Sequence, residues 1–425
     1  MPCLLLMTAI LIGYYYNNQS LIIGTLLMLA IFFMFNNMKN AFYILLFFIP
    51  FNNILKFTPD SFAFLSILSI EFLFIAVVEA ARNNYKINMT LVIQALFLLM
   101  LSFISFEMNS NHLIELLVNF IILFNIIFLC AVKEDISHKK AILSFIFGFI
   151  GASLTGLVIG SLPHMSVFID NHPASRNFTT IVRFSGVDKD PNYFGFYALF
   201  AISLLITYNY NKKNRLLAGC LLLGLITLGY MSYSKMFLLI FIVMLTVALL
   251  TNINYLIKNA KYILYYLPLI ILGCYLFIQK ITTHIIAPYL DRFIYSVDGG
   301  ELTNGRLEIA LLYGKMIMSD LSIMMIGTGF FRDDQELTLA THNTYITIFY
   351  SFGLIGTVVL LSFYHHVFTQ IKRGVLVNRQ HKMLVLLEYY PLLVMLLTML
   401  SLDLIYMRFF PYLLFLSLLL IHNDE

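Results

Sequence analysis

The sequence predicts an all-α, polytopic integral membrane protein with about 14 transmembrane helices (12–14) and a large extracytoplasmic loop forming a helical cap. Three observations carry this. Of 425 residues, 60% are hydrophobic and only 11% are charged, where soluble domains carry about a quarter. So little charge cannot cover a soluble surface, and the same composition excludes a disordered chain. Apolar runs near the length of a bilayer-spanning helix, about 20 residues, recur from end to end. Finally, Lys and Arg concentrate in alternate loops between those runs, as cytoplasmic loops require.

The runs fall at 3–16, 21–35, 41–55, 61–81, 89–106, 113–132, 141–162, 191–208, 216–230, 235–250, 263–279, 343–364, 383–401 and 404–421. The first three and the ninth are short, which makes two of them candidates for re-entrant segments. The opening MPCLLLMTAILIGYYY has no basic leader and no small-residue cleavage site, and reads as a retained first span. Alternate loops carry Lys39; Arg82 and Lys86; Lys133, Lys139 and Lys140; Lys212, Lys213 and Arg215; Lys258 and Lys261; and Lys372, Arg373, Arg379 and Lys382. The intervening short loops carry only Lys56, Lys235 and Arg408. This bias predicts an even span count with both termini in the cytoplasm. With 40 Phe and 26 Tyr but no Trp, Tyr supplies the interfacial anchors.

Two segments on the opposite side break the pattern of short loops. These are the first long extracytoplasmic loop, 163–190, and the second, 280–342, with six and thirteen charged residues. Loops of this length are functional or disordered. Within the second, Arg306 to Met318 has helical spacing, with Thr303 or Asn304 as the expected cap. The four cysteines, Cys3, Cys130, Cys220 and Cys274, form no CxxC pair, so neither a disulfide framework nor a zinc site is expected. A net charge of +4 says little about partners when its placement follows topology. No nucleic-acid partner is expected.

Five polar clusters fall on the same predicted face. The first runs from Arg183 through Ser185, Gly186, Asp188, Asp190 and Pro191 to Asn192. The pre-proline position keeps Asp190 out of a helix, and Pro191 fits the first turn of the next one. Asn192 then lies where free amides attract anions. The second is Tyr233-Ser234-Lys235, where Lys235 either snorkels or faces a cavity as a cation for an anionic group. The third is Asn304-Gly305-Arg306; Arg306 has the planar fork that suits phosphate oxygens, or else is a solvated surface charge. The fourth, Gly327-Thr328-Gly329, allows close backbone approach. The fifth is Thr341-His342-Asn343-Thr344-Tyr345, which leads to Gly353-Leu354-Ile355-Gly356. A His at a helix mouth can serve as a general base or as a cap. Asp403 and Arg408 read as the edges of a short outside turn. Glu71 and Glu79 share one face of a span, either snorkelling or lining a cavity. His365-His366 reads as an interface pair.

In combination, R-x-S-G…D-P-N, a Ser-basic pair, G-R before a loop helix, G-x-G and H-N-x-Y…G-L-I-G resemble the O-antigen ligase/O-antigen polymerase superfamily of bacterial membrane proteins. The resemblance covers about 180–360. It implies a helical fold similar to the GT-C-type glycosyltransferases, on the bacterial inner (plasma) membrane, with an extracytoplasmic active face. It also implies a donor glycan on undecaprenyl diphosphate. Arg183 and Arg306 match the family's loop arginines, which hold the diphosphate, and His342 matches the His that is essential in the ligase branch. These three are the catalytic candidates, with Lys235, Asp188, Asp190, Asn192, Asn343 and Tyr345 as substrate-binding candidates. Lys235 stands where the family more often has Arg, keeping the charge but losing the bidentate fork. No metal and no other cofactor is implied, and Asp333-Asp334 is an isolated adjacent pair rather than an acidic cage. The resemblance implies a lipid-linked oligosaccharide substrate, the bilayer, a flippase and a chain-length regulator as partners. The expected activity is repeat-unit polymerisation. Alternatives are ligase-type transfer of the glycan to another acceptor, a flippase for lipid-linked oligosaccharide, and a non-catalytic sensor or scaffold.

Overall fold

A chain this apolar marks its helix starts with the few short polar side chains it has. Asn18 accepts the Leu21 amide, Asn37 that of Asn40, Ser137 that of Lys140 and Asp320 that of Ser322. Each satisfies one of the amides a helix start leaves open. A computed structural model describes residues 2–58, 61, 63–104, 110–169, 183–209, 215–251, 305–329, 341–372, 388–407 and 409–421. In order, its α-helices are α1 (Pro2–Tyr15), α2 (Gln19–Met34), α3 (Met38–Phe48), α4 (Phe64–Asn83), α5 (Met89–Ile104), α6 (Ser110–Ala131), α7 (His138–Ile159) and α8 (Pro191–Asn209). Then follow α9 (Arg215–Met231), α10 (Lys235–Thr251), α11 (Arg306–Ser319), α12 (Leu321–Ile326), α13 (Thr344–Lys372), α14 (Tyr390–Thr398) and α15 (Phe410–Leu420). The described residues are all-helical, with no strand.

By length and composition, α4, α7 and α13 are apolar enough to cross a membrane. Shorter apolar helices are α1, α2, α3, α5, α9, α10 and α15, together with the Leu116–Ala131 part of α6. Several predicted spans differ from the observed helices. The run at 41–55 breaks after Phe48 into a 3-10 turn over Ile49–Phe51, with Pro50 unable to extend the α-helix. The run at 383–401 yields the nine-residue α14, and the run at 404–421 turns helical only at Phe410, with Pro411 in the first turn. Helix α11 starts behind Gly305, at φ 76° and without a side-chain cap, rather than behind Thr303 or Asn304. The run at 263–279, Cys274, Thr303, Asn304, Asp333-Asp334, most of 280–342 and the basic residues Lys212, Lys213, Lys258, Lys261, Arg373, Arg379, Lys382 and Arg408 lie outside the described residues.

The core is aromatic and aliphatic, with α3 nearly enclosed by its neighbours: Phe42 packs edge-on against Phe415 and tilts against Tyr412. Polar groups inside the bundle are used in pairs. Asn125 of α6 donates to the Ser69 carbonyl of α4 at 2.8 Å and to the Tyr412 hydroxyl of α15 at 2.7 Å. Gln94 of α5 donates to Ser362 of α13 at 2.8 Å and meets His366 Nδ1 at 3.1 Å, so His366 serves helix packing. Glu79 accepts the Met38 amide at 2.7 Å and caps α3, while no partner for Glu71 Oε2 is found among the described residues.

The two ends of the bundle differ in chemistry. At one end Lys39 pairs with Asp135 at 3.5 Å, and Lys133 donates to the carbonyl of Gln370 at the foot of α13. The opposite end collects the starts of α8, α10 and α13, the close of α9 and the turn between α14 and α15. Here α13 is broken at Gly353 (φ 60°, ψ −170°). The carbonyls freed by the break are taken up from outside the helix: Thr328 N–H donates to Tyr350 at 2.9 Å and Gly329 N–H to Ser351 at 3.0 Å. Gly327 and Gly353 both have positive φ and meet backbone to backbone, each so close that a Cβ would lie 2.6 Å from the other's nitrogen. The Gly327–Gly329 segment therefore serves a chain-to-chain contact.

This arrangement predicts opposite signs for similar substitutions. Gly353→Ala or Gly327→Ala adds a left-handed-region cost of about 1–2 kcal/mol and a clash with backbone, and should lower the melting temperature in detergent. Gly314→Ala, in helix α11 with open space around it, should leave stability unchanged or raise it by up to about 1 kcal/mol.

Candidate functional site

The loop before α8 reaches its place because Gly186 packs against the backbone of Gly156 at the end of α7. Phe184 N–H also donates to the Met231 carbonyl at the end of α9, at 3.0 Å. Arg183 is thereby held beside the α9–α10 turn. Its Nε donates to the Ser232 carbonyl at 3.1 Å, and its Nη2 to Asn192 Oδ1 at 3.0 Å. Asn192 Oδ1 also accepts the Ser234 hydroxyl at 2.8 Å, and Asn192 Nδ2 donates to Asp190 Oδ1 at 2.9 Å. Asn192 is therefore the hinge-pin between Arg183, the start of α10 and Asp190.

Helix α8 does begin at Pro191, as the sequence predicts. Its first turn is already supplied with a carboxylate, however: Asp190 Oδ1 accepts the Asn192 amide at 2.7 Å. That amide is thus not open to an external anion, contrary to the expectation for a bare helix start. Lys235 opens α10 and is half-buried, behind a left-handed Tyr233 at φ 47°.

Across the site lie Arg306 and His342. Arg306 begins the cap helix α11 and donates through Nη1 to the Ser401 carbonyl at 3.1 Å. Burial pulls its pKa down, while Asp190, Asp403 and Tyr193 oppose that shift. Burial, and then the neighbouring Arg306, hold His342 below its ordinary 6.5, with Asp403 and Asp190 pulling the other way. Its imidazole is therefore neutral near pH 7, and it makes no hydrogen bond among the described residues. Asp190 faces both groups and connects back to Arg183 through Asn192. The structure thus brings Arg183, Asp190, Asn192, Arg306 and His342 into one linked cluster.

Asn343 and Tyr345 are engaged with the chain itself. Asn343 Oδ1 caps α13 by accepting Tyr345 N–H at 3.0 Å and Ile346 N–H at 3.2 Å. The Tyr345 hydroxyl donates to the Leu396 carbonyl at 2.9 Å and so ties α13 to α14. Asp188 sits behind the cluster, accepting the amides of Lys189 at 2.6 Å and Asp190 at 3.4 Å.

The sequence reading gave Asp403 only the edge of a turn. In the structure it is 3% exposed and accepts four hydrogen bonds from the His342 segment. Thr341 and Thr347 hydroxyls reach Oδ1, both at 2.6 Å, and the Asn343 amide reaches it at 3.0 Å; the His342 amide reaches Oδ2 at 2.8 Å. The available signal was a carboxylate between two apolar runs, too costly to bury without partners.

A group of ≥ 3 His, Cys, Asp or Glu side chains able to hold a metal is not found among the described residues. The arrangement offers two guanidiniums for an anion and a neutral imidazole beside one of them, which suits departure of an anionic leaving group and removal of a proton.

Asp188 supplies a pH test. It keeps some surface exposure as a residue, yet the protein around its carboxyl pushes its pKa from 3.8 up to about 7. The folded state then binds more protons than the unfolded one between these values. The associated stability is fully present below about 4 and lost as pH rises through about 7. The melting temperature of wild type should fall across that window relative to Asp188→Asn, which a pH series of thermal melts measures. No known protein family and no curated protein matches the chain.

Proposed function

We propose that this chain is a multi-spanning glycosyltransferase of the bacterial plasma membrane, with about 14 spans, both termini in the cytoplasm and its site on the extracytoplasmic face. It polymerises oligosaccharide repeat units of a surface polysaccharide, an O-antigen, capsule or exopolysaccharide. The observation that carries the reading is the linked cluster of Arg183, Asn192, Asp190, Arg306 and His342 at the bundle end opposite Lys39, Lys133 and Lys372. The resemblance of the same residues to the O-antigen ligase/O-antigen polymerase superfamily supports it. A translocation pathway would place charge along the spans, whereas among the described residues the charges gather at the two ends of the bundle, Glu71 of α4 apart.

In this reading the donor is a glycan on undecaprenyl diphosphate and the acceptor is a sugar hydroxyl of the next lipid-linked repeat unit. The acceptor oxygen forms a bond to the anomeric carbon as the bond to the diphosphate oxygen breaks. The electron pair leaves with the diphosphate, whose growing charge Arg183 and Arg306 stabilise, with Lys235 adding charge nearby. The hydroxyl proton passes to the neutral imidazole of His342. A single displacement inverts the anomeric configuration. Asp188, Asn343 and Tyr345 shape the walls of the acceptor side.

Arg183→Ala, Arg306→Ala and His342→Ala should each reduce polymer formation by about 100-fold or more while membrane levels stay normal. Sizing of the surface glycan in a producing strain reads this, and long polymer at normal levels in all three variants overturns the site. Deletion should leave single repeat units on their usual anchor; loss of all anchored glycan with lipid-linked polymer accumulating would assign a ligase instead. Activity of the purified chain should survive EDTA, and collapse that Mg²⁺ reverses would overturn the metal-free mechanism.

A further inference from the structure

We infer that Asp403 is a positioning residue that fixes His342 and Arg306 in one frame. The transfer arm of its test rests on the function proposed above; the geometric arm does not.

The two oxygens of this carboxylate are filled by the chain. Oδ1 takes the hydroxyls of Thr341 and Thr347 and the amide of Asn343, and Oδ2 takes the amide of His342. With four donors on a group that is 3% exposed, the carboxylate is fixed by the chain and shielded from solvent. Asp403 therefore acts through what it holds. It is also not needed as the cap of α13, because Asn343 Oδ1 already accepts the Tyr345 and Ile346 amides. What it does hold is a strained residue: His342 has φ +50°, a conformation that costs a non-glycine residue about 1–2 kcal/mol. Such strain persists only where surrounding contacts over-determine it, and here Asp403 binds the amide of the strained residue and of the one after it.

The same turn holds the second cation. Arg306 Nη1 donates to the carbonyl of Ser401, two residues before Asp403. Thr344 fastens the turn to α13 from the other side, donating its hydroxyl to the Leu402 carbonyl at 2.5 Å and accepting the Leu404 amide at 2.8 Å. Tyr193 of α8 adds a longer contact to the Asp403 carbonyl at 3.3 Å. The turn between α14 and α15 is thus the common reference for the imidazole and the guanidinium. The charged groups that face His342 are Arg306 from α11, Asp190 from the loop before α8, and Asp403. Removing the Asp403 charge takes away an influence that favours the protonated imidazole, so the ring should lose its proton at lower pH.

The test uses the full chain in detergent. Diethyl pyrocarbonate acylates neutral imidazole, and mass spectrometry of the His342 peptide against pH gives its titration midpoint. In Asp403→Asn the midpoint should move to lower pH than in wild type. Asp403→Glu, which keeps the charge, should keep the midpoint. An unchanged His342 profile in Asp403→Asn overturns the inference. Should that variant fail to fold, Thr341→Val with Thr347→Val removes two of the four donors and keeps the charge. His342 should then be acylated faster at its plateau, and an unchanged rate overturns the inference equally. With lipid-linked repeat units as substrate, Asp403→Asn should lower kcat by about 100-fold with KM near the wild-type value. A wild type that transfers no glycan refutes the proposed function and leaves the acylation result to decide the role of Asp403.

Discussion

A backbone polar group packed inside an apolar bundle has no water to turn to, and the irregular segments among the described residues are arranged around that fact. The break in α13 survives because Thr328 and Gly329 bring their amides to the carbonyls of Tyr350 and Ser351. The Met38 amide at the start of α3, which the Asn37 cap does not take, is met by a carboxylate from α4, Glu79. Asn125 is wholly buried and donates to two other helices. Each of these is a polar group placed where its partner is already fixed by helix packing. The apolar bundle therefore determines where chemistry can be held: at its ends, in segments whose polar atoms satisfy one another.

The cluster at the Arg183 end applies the same rule to charged groups. A guanidinium or carboxylate taken out of water is expensive unless its hydrogen bonds are filled. Arg183 has the Ser232 carbonyl and Asn192, Arg306 has the Ser401 carbonyl, and Asp403 has four donors. The carbonyl and amide partners named for the two arginines do not themselves cancel a positive charge, as a carboxylate would. Asp190 is the acidic group between them, and one of its oxygens, Oδ1, is occupied by the Asn192 amide and side chain. The site accordingly remains able to attract an anion.

Much of this was legible from residue types and spacing. The helix start at Pro191, the helix from Arg306 and the helix beginning after Asn343 follow from local rules about proline and periodicity, whereas the side-chain cap expected for α11 is replaced by Gly305. The grouping of Arg183, Arg306 and His342 followed from topology and motif resemblance together. What escaped is what depends on contacts across the fold. Nothing near Asp403 in sequence announces that Thr341 and Thr347, some sixty positions earlier, donate to it. From sequence, Gly327 allows close backbone approach; that what approaches it is Gly353 depends on α12 lying across the break in α13. Likewise Asn192 looked like a ligand to an anion, because its local position permits that, while its actual partners come from Arg183 and Ser234. Local rules gave positions, and only packing gave partners.

The charge balance around His342 explains why an imidazole suits this place better than a carboxylate would. In the proposed transfer, a base beside a cation that binds a diphosphate should not itself be negatively charged, since it would compete with the leaving group for the guanidinium. It should also not carry a proton when the acceptor arrives. Burial and Arg306 both favour the neutral ring, and Asp403 and Asp190 keep it from becoming too weak a base. Arg306 takes part on both sides: it attracts the anion and holds the neighbouring base unprotonated. Substrate binding would strengthen this coupling in a definite direction. If the proposed diphosphate donor sits on Arg306, it would offset the positive charge that disfavours imidazolium, and the basicity of His342 would rise on binding. The proton acceptor is then strongest when there is a leaving group to displace.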